Sequence, residues 1–278
     1  MQKHTYSIFI NGKAITEEKA KEKIQRGDAE VSLAFHGFGQ YSGIFKTVSA
    51  QKTDILFISF DLFFHGKTKD NKFLSSYSPE QFIAEIEIVL KQFSVKKFHL
   101  LAFSIGSRPC LAIAQKFTGE VLSLQMIAPD GIYENPVFHI ATRNYLGRAL
   151  FKLLSSNETY LKLAIERGLS WTKGKMKLFK LALKVLNDHS ITKIYNTWLT
   201  YAPFRFDSES ILKTLQQYQT PISVVLSDKD HVISKKKVLK KLENCGNIFY
   251  ITSYKHEKII SKLVKERFFE AEQPLLRR

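Results

Sequence analysis

The stretch "HLLAFSIGSRPC", residues 99–110, decides how this chain is read. An apolar run stops at Ser104, with Ala102 two positions before it and Gly106 two positions after it. The run before the serine has strand character. "SRPCLAIAQKF" (107–117) has helical character, with Pro109 tolerable only in the first turn. A strand that turns abruptly into a helix presents the residue at its tip. Small flanking residues let strand and helix approach and let the backbone take a strained form. Small-x-Ser-x-small alone is a weak signal, because it recurs by chance.

A serine hydroxyl is a poor nucleophile at neutral pH. It needs a base, a group that orients the base, and donors for the developing oxyanion. Candidates for each lie in turns elsewhere in the chain. "LAFHGFGQ" (33–40) places His36-Gly37-Phe38-Gly39 directly after a strand-like run. A glycine-rich turn lets a backbone amide point into a site. The amides of Phe38 and Ile105 are the candidate oxyanion donors. "VVLSDKDHVIS" (224–234) puts Asp228 and Asp230 just past another run, and "FYITSYKHEKII" (249–260) puts His256 past the next. The order Ser104, Asp230, His256 is a serine, acid, histidine order known to accompany such a serine turn.

Competitors exist for each role. His231 adjoins the acid turn but sits on the wrong loop to serve as base, and His36 reads as packing beside its glycine turn. Asp228 is a turn-former by type, and Asp130, in "IAPDG", reads as a cap beside Gly131. Asp61 and His65, in "SFDLFFHGKTK" (59–69), read as loop-structural. Cys110 and Cys245 read as core thiols.

Short apolar runs alternate with helical patterns, which argues for an α/β sheet. The runs are 6–10, 31–35, 54–60, 96–103, 121–128, 221–227 and 247–252. Asn11-Gly12 is a turn signal after the first. The clearest helix is "SPEQFIAEIEIVLKQF" (78–93). Ser78 is a natural N-cap, Pro79 fits the first helical position, and Gln81 completes a capping-box spacing. Phe82, Ile86, Val89, Leu90 and Phe93 repeat at helical spacing. Further helices are expected at 208–218, 234–243 and about 257–270. Residues 132–205 are helical in texture, rich in lysine and aromatics, and interrupt the alternation.

The 278 residues allow one large domain, or a core carrying an insertion. The formal net charge of +16 suits nucleic acid, a membrane or an anionic substrate. No zinc-finger, RNP or basic-zipper pattern accompanies it, so it reads as a solvated lysine-rich surface with no nucleic-acid partner. No apolar run approaches the roughly 18–20 residues of a membrane span. The N-terminal stretch lacks a leader pattern, and two cysteines are too few for a disulfide framework. A cytoplasmic protein is expected.

Six segments, "FHGFG", "FDLFFHGKT", "LAFSIGS", "IAPDG", "LSDKDHVI" and "YKHEK", together resemble the α/β-hydrolase superfamily along nearly the whole chain. The resemblance implies an α/β-hydrolase fold, a mostly parallel sheet flanked by helices. It implies a core of 1–131 and 206–278 and a helical cap of 132–205. It assigns the catalytic triad to Ser104, Asp230 and His256, and the oxyanion hole to Phe38 and Ile105. Three departures stand out. Ala102 replaces the usual glycine before the serine, "DLFFHG" is bulkier than the family's frequent loop, and Ser227 stands where the acid turn often has glycine.

A serine at this turn is unlike the aspartate branches, the dehalogenases and epoxide hydrolases. The expected function is a serine hydrolase that cleaves a carboxylic ester or thioester of a small to medium acyl substrate, with no cofactor and no metal. The alternatives are a C–C bond hydrolase, a related cofactor-pathway lyase, or a non-catalytic ligand binder. In the inserted stretch, "TKGKMKLFKLALKVLND" (172–188) places Lys173, Lys177, Lys180 and Lys184 on one helical side. Such a helix can adsorb to an anionic membrane. The preferred reading is lysines in water over a packed apolar face. Core packing is likewise the default for Trp171, Phe179, Tyr195, Trp198 and Tyr201.

Overall fold

A computed structural model describes residues 3–68, 77–133, 135–156, 191–245 and 248–270. They fall into two compact units. The larger holds 3–68, 77–133, 204–245 and 248–270; the smaller holds 135–156 and 191–203.

The larger unit is built on one eight-stranded sheet. Its strands are β1 (Thr5–Ile10), β2 (Lys13–Ala14), β3 (Glu30–Phe35), β4 (Ile55–Asp61), β5 (Phe98–Phe103), β6 (Val121–Ile127), β7 (Ile222–Ser227) and β8 (Ile248–Thr252). The order is β2-β1-β4-β3-β5-β6-β7-β8. Strand β1 runs antiparallel to β2 and β4, and every pairing from β4 to β8 is parallel. The chain is therefore an α/β protein with a mostly parallel sheet, as the alternation predicts. The parallel strands are covered on both faces, which explains their unbroken apolar runs. Phe35 of β3 stacks on Phe60 of β4 at 5.1 Å, and both are buried.

Strands β3 and β5 are neighbours, and the connection after β3 goes to β4 on one side while the connection after β5 goes to β6 on the other. In an open parallel sheet a ligand crevice forms at such a switch point, outside the carboxyl ends of the strands. The turns after β3 and β5 both open there.

Helix α1 (Glu17–Arg26) follows the β1–β2 hairpin, and the short α2 (Phe45–Ser49) follows β3. Neither stands out in the sequence. Only Ala20 of α1 is buried, so the helix carries no apolar stripe to read. Helix α3 (Pro79–Gln92) starts where the capping-box pattern places it. The Gln81 amide donates to Ser78 Oγ at 3.3 Å, and the Ser78 amide donates to Gln81 Oε1 at 3.0 Å. Phe82, Ile86, Val89 and Leu90 form its buried face. Helix α4 (Ser107–Lys116) follows β5 after a single 3-10 turn, Ser104–Gly106.

In the smaller unit, α5 (Pro136–Arg143), α6 (Tyr145–Ser156) and α7 (Ile191–Tyr201) pack through an aromatic cluster. Trp198 meets Phe138 at 5.3 Å and Phe151 at 5.7 Å, and Phe151 meets Tyr195 at 5.1 Å. Trp171, Phe179 and the basic stretch 172–188 lie outside the described residues. The chain returns to the larger unit with α8 (Ser208–Gln217), α9 (Lys235–Lys241) and α10 (Ile259–Lys265). The helix expected to run to about 270 ends sooner, at Lys265. No helix among the described residues is long and apolar enough to cross a membrane.

Ser78→Ala removes the reciprocal cap of α3. It should lower unfolding stability by about 1 kcal/mol in a urea titration.

Candidate active site

Ser104 sits where β5 ends, with φ at +52°. A residue with a β-carbon takes this left-handed form only when its surroundings impose it. Gly106 is one reason the turn closes. A β-carbon there would lie 2.4 Å from the Phe35 carbonyl oxygen and 2.6 Å from that of His36. Only glycine lets α4 start this close to the end of β3. Ala102 is fully buried between its partners Phe35 on β3 and Met126 on β6.

His256 Nε2 lies 2.9 Å from Ser104 Oγ, and His256 Nδ1 lies 2.7 Å from Asp230 Oδ2. The imidazole stacks on Phe103, with centroids 5.1 Å apart. The Asp230 side chain is 1% exposed and that of His256 15%. A buried carboxylate must have its oxygens satisfied. Asp230 Oδ1 accepts from the amides of Val232 at 2.7 Å and Ile233 at 2.9 Å, leaving Oδ2 for the histidine. With Nδ1–H held by the carboxylate, Nε2 is the acceptor that faces the serine hydroxyl.

The competitors are engaged elsewhere. Asp228 is exposed and ion-paired with Lys235. Asp130 binds Arg108 and the Gly131 amide. His231 is exposed. His36 is buried, with Nδ1 2.7 Å from the Gly37 carbonyl and Nε2 accepting from the Leu62 amide at 3.0 Å. It fastens the turn after β3 to the loop after β4. Asp61 does similar work, its carboxylate accepting from the amides of Ser42 at 2.6 Å and Lys67 at 3.0 Å. Cys110 is fully buried and burial pushes its thiol pKa up, which makes it inert.

Phe38 and Ile105 occupy matching places. Phe35 and Ala102 are paired on β3 and β5, and Phe38 and Ile105 each lie three residues beyond. Ile105 lies in the first turn of the helical run that starts at Ser104, where amides have no acceptor within the helix. The turn around Phe38 is pinned by the Gly37 amide donating to Gln40 Oε1 at 3.1 Å. The Phe38 ring meets His65 edge-on at 5.1 Å.

Two contributors have no role assigned to them from the sequence. Ser227 Oγ donates to the Tyr254 carbonyl at 2.5 Å and accepts from the Lys229 amide at 3.3 Å. One hydroxyl therefore ties the acid turn to the loop that carries His256. The departure from glycine at this position was the available signal. Tyr133 is the second. Its phenol oxygen accepts from the Ser234 amide at 3.0 Å, just past the acid turn. Burial first, and then the nearby Asp130 and Asp230 charges, push the Tyr133 pKa up, so it stays a neutral phenol.

Comparisons with known proteins agree with this architecture. A family model described as "alpha/beta hydrolase fold" matches residues 33–252. The chain belongs to the α/β-hydrolase fold family. A probable lysophospholipase of Arabidopsis thaliana, BODYGUARD 1, is 34% identical over 131 residues, 44% of this chain. That match spans 26% of the plant protein, about a quarter of its length. Among solved structures, the α/β hydrolase enzyme MGS-M2 from a Medee basin deep-sea metagenome library aligns over 100% of this chain and 98% of its own. The TM-score is 0.62 and the identity 14%. The enol-lactonase of Burkholderia xenovorans LB400 aligns over 95% of this chain and 94% of its own, with TM-score 0.59 and 13% identity. At such identities these two show the shared fold.

Gly106→Ala forces a β-carbon onto two backbone carbonyls. It should cost at least about 2 kcal/mol of stability, read as a lowered denaturation midpoint.

Proposed function

We propose that this chain is a serine hydrolase that cleaves a carboxylic ester or thioester through an acyl-enzyme. The observation that carries the reading is the relay of Ser104, His256 and Asp230 on a serine held at positive φ. Ser104 Oγ attacks the carbonyl carbon while His256 Nε2 takes its proton. Asp230 holds the ring tautomer and stabilises the imidazolium that forms. The amides of Phe38 and Ile105 donate to the tetrahedral oxyanion. His256 then returns its proton to the departing alcohol or thiol. Water enters, gives a proton to His256, attacks the acyl carbon, and the acid leaves as Ser104 recovers its hydrogen.

One name from the comparisons, the probable lysophospholipase, supports an ester-type substrate. The acyl compound is the partner that the proposal requires. Two cysteines in 278 residues, too few for a disulfide framework, favour a reducing, cytoplasmic setting.

A fluorophosphonate should label Ser104 in the parent and leave Ser104→Ala unlabelled. Ser104→Ala and His256→Gln should each lower kcat on p-nitrophenyl esters by at least about a thousandfold, with the fold intact by circular dichroism. Parent-like hydrolysis by Ser104→Ala defeats the proposal. No labelling of the parent favours a non-catalytic binder, and turnover of a dienol substrate without ester cleavage favours a C–C hydrolase. A screen of esters of graded acyl length then defines the substrate range.

A further inference from the structure

The left-handed backbone at Ser104 needs a restraint on its carbonyl side as well as at Gly106. One is present. The Asp130 amide donates to the Ser104 carbonyl at 3.1 Å. Asp130 follows β6 in a turn that is strained at Ala128, at φ +44°, and that Gly131 continues at φ +90°, a form open to glycine. A turn of this kind places its amide accurately only if something outside it fixes its position.

Arg108 is that outside group. It lies in the first turn of α4, four residues after the serine, and its side chain is 3% exposed. Its Nε donates to Asp130 Oδ2 at 2.7 Å and its Nη2 donates to Asp130 Oδ1 at 3.2 Å. This is a two-point fork, which fixes direction as well as distance. Asp130 Oδ1 also accepts from the Gly131 amide at 2.8 Å. A β-carbon at Gly131 would meet Arg108 Cγ at 3.1 Å, so the turn and the arginine stem are closely packed. The third nitrogen, Nη1, donates to the Phe204 carbonyl at 3.3 Å. The guanidinium thus holds the chain both where it is about to leave the larger unit and where it comes back.

We infer that Arg108 is a positioning residue for Ser104. Acting through the Asp130 carboxylate and amide, it holds the serine backbone at the angle that aims Oγ at His256. This rests on the reading of Ser104 as the nucleophile. Arg108 itself touches no reacting atom.

The test uses the full chain and a p-nitrophenyl ester in a pre-steady-state burst. Arg108→Lys keeps the charge and loses the fork. It should lower the acylation rate constant per titrated site by about ten- to a hundredfold, while the substrate dissociation constant, read from the concentration dependence of the burst, is little changed. Asp130→Asn keeps the backbone amide and the shape, guards against misfolding of the first variant, and should act in the same direction. Because both act on one contact, the double variant should fall well short of the product of the two single effects. Lys213→Ala, which breaks an exposed pair with Glu209, is the control and should leave the rate constant unchanged.

A fall in burst amplitude or thermal midpoint, with the rate constant per site unchanged, would show a merely structural pair and overturn the inference. Amide hydrogen exchange at Asp130 reads the same linkage without turnover. Exchange should be at least about tenfold faster in Arg108→Lys, and unchanged protection overturns the inference. A parent that shows no burst defeats the proposed hydrolase, whereas the exchange result still decides the role of Arg108.

Discussion

At Ser104 a residue with a β-carbon is held at φ +52°, a form that costs about 1–3 kcal/mol unless its neighbours impose it. Several neighbours do. β5 delivers the chain to the sheet edge, Gly106 lets α4 begin against the carbonyls of Phe35 and His36, and Asp130 bonds the serine carbonyl. The angle lifts the hydroxyl off the sheet and toward an imidazole that two other loops hold in place. Those loops follow β7 and β8, adjacent parallel strands, so their tips emerge side by side. The geometry of the relay is thus a consequence of strand order.

Polar bonding around the relay is economical. Asp230 has one oxygen filled by two backbone amides and the other turned to His256. Ser227 spans the acid turn and the histidine loop with a single hydroxyl. His36 and Asp61 fasten the loops after β3 and β4 through backbone amides. Each of these side chains is buried or half-buried and accepts from the main chain. That is how irregular loops satisfy their donors away from water.

Much of this could be read from the sequence because burial leaves a mark on composition. Strands covered on both faces appear as apolar runs, and α3 carries both an apolar stripe and a readable cap. Helix α1 was missed because it buries little besides Ala20, so its lysines and glutamates show no period. The three residues of the relay were legible through turn context and order, while their distances were not. Ser227 and Arg108 illustrate what sequence hides. A serine in a turn and an arginine in a helix are commonplace until partners remote in the chain give them a task.

The polypeptide leaves the larger unit just after Tyr133 and rejoins it at Phe204. Near those crossing points the two stems are stitched together, since Ser208 Oγ donates to the Ile132 carbonyl at 3.2 Å and Arg108 grips both Asp130 and Phe204. Both stems therefore bond to residues of the larger unit itself at the points where the chain leaves it and returns. A change in the length of the stretch between the stems therefore leaves these bonds available, a freedom open to evolution and to a protein engineer alike.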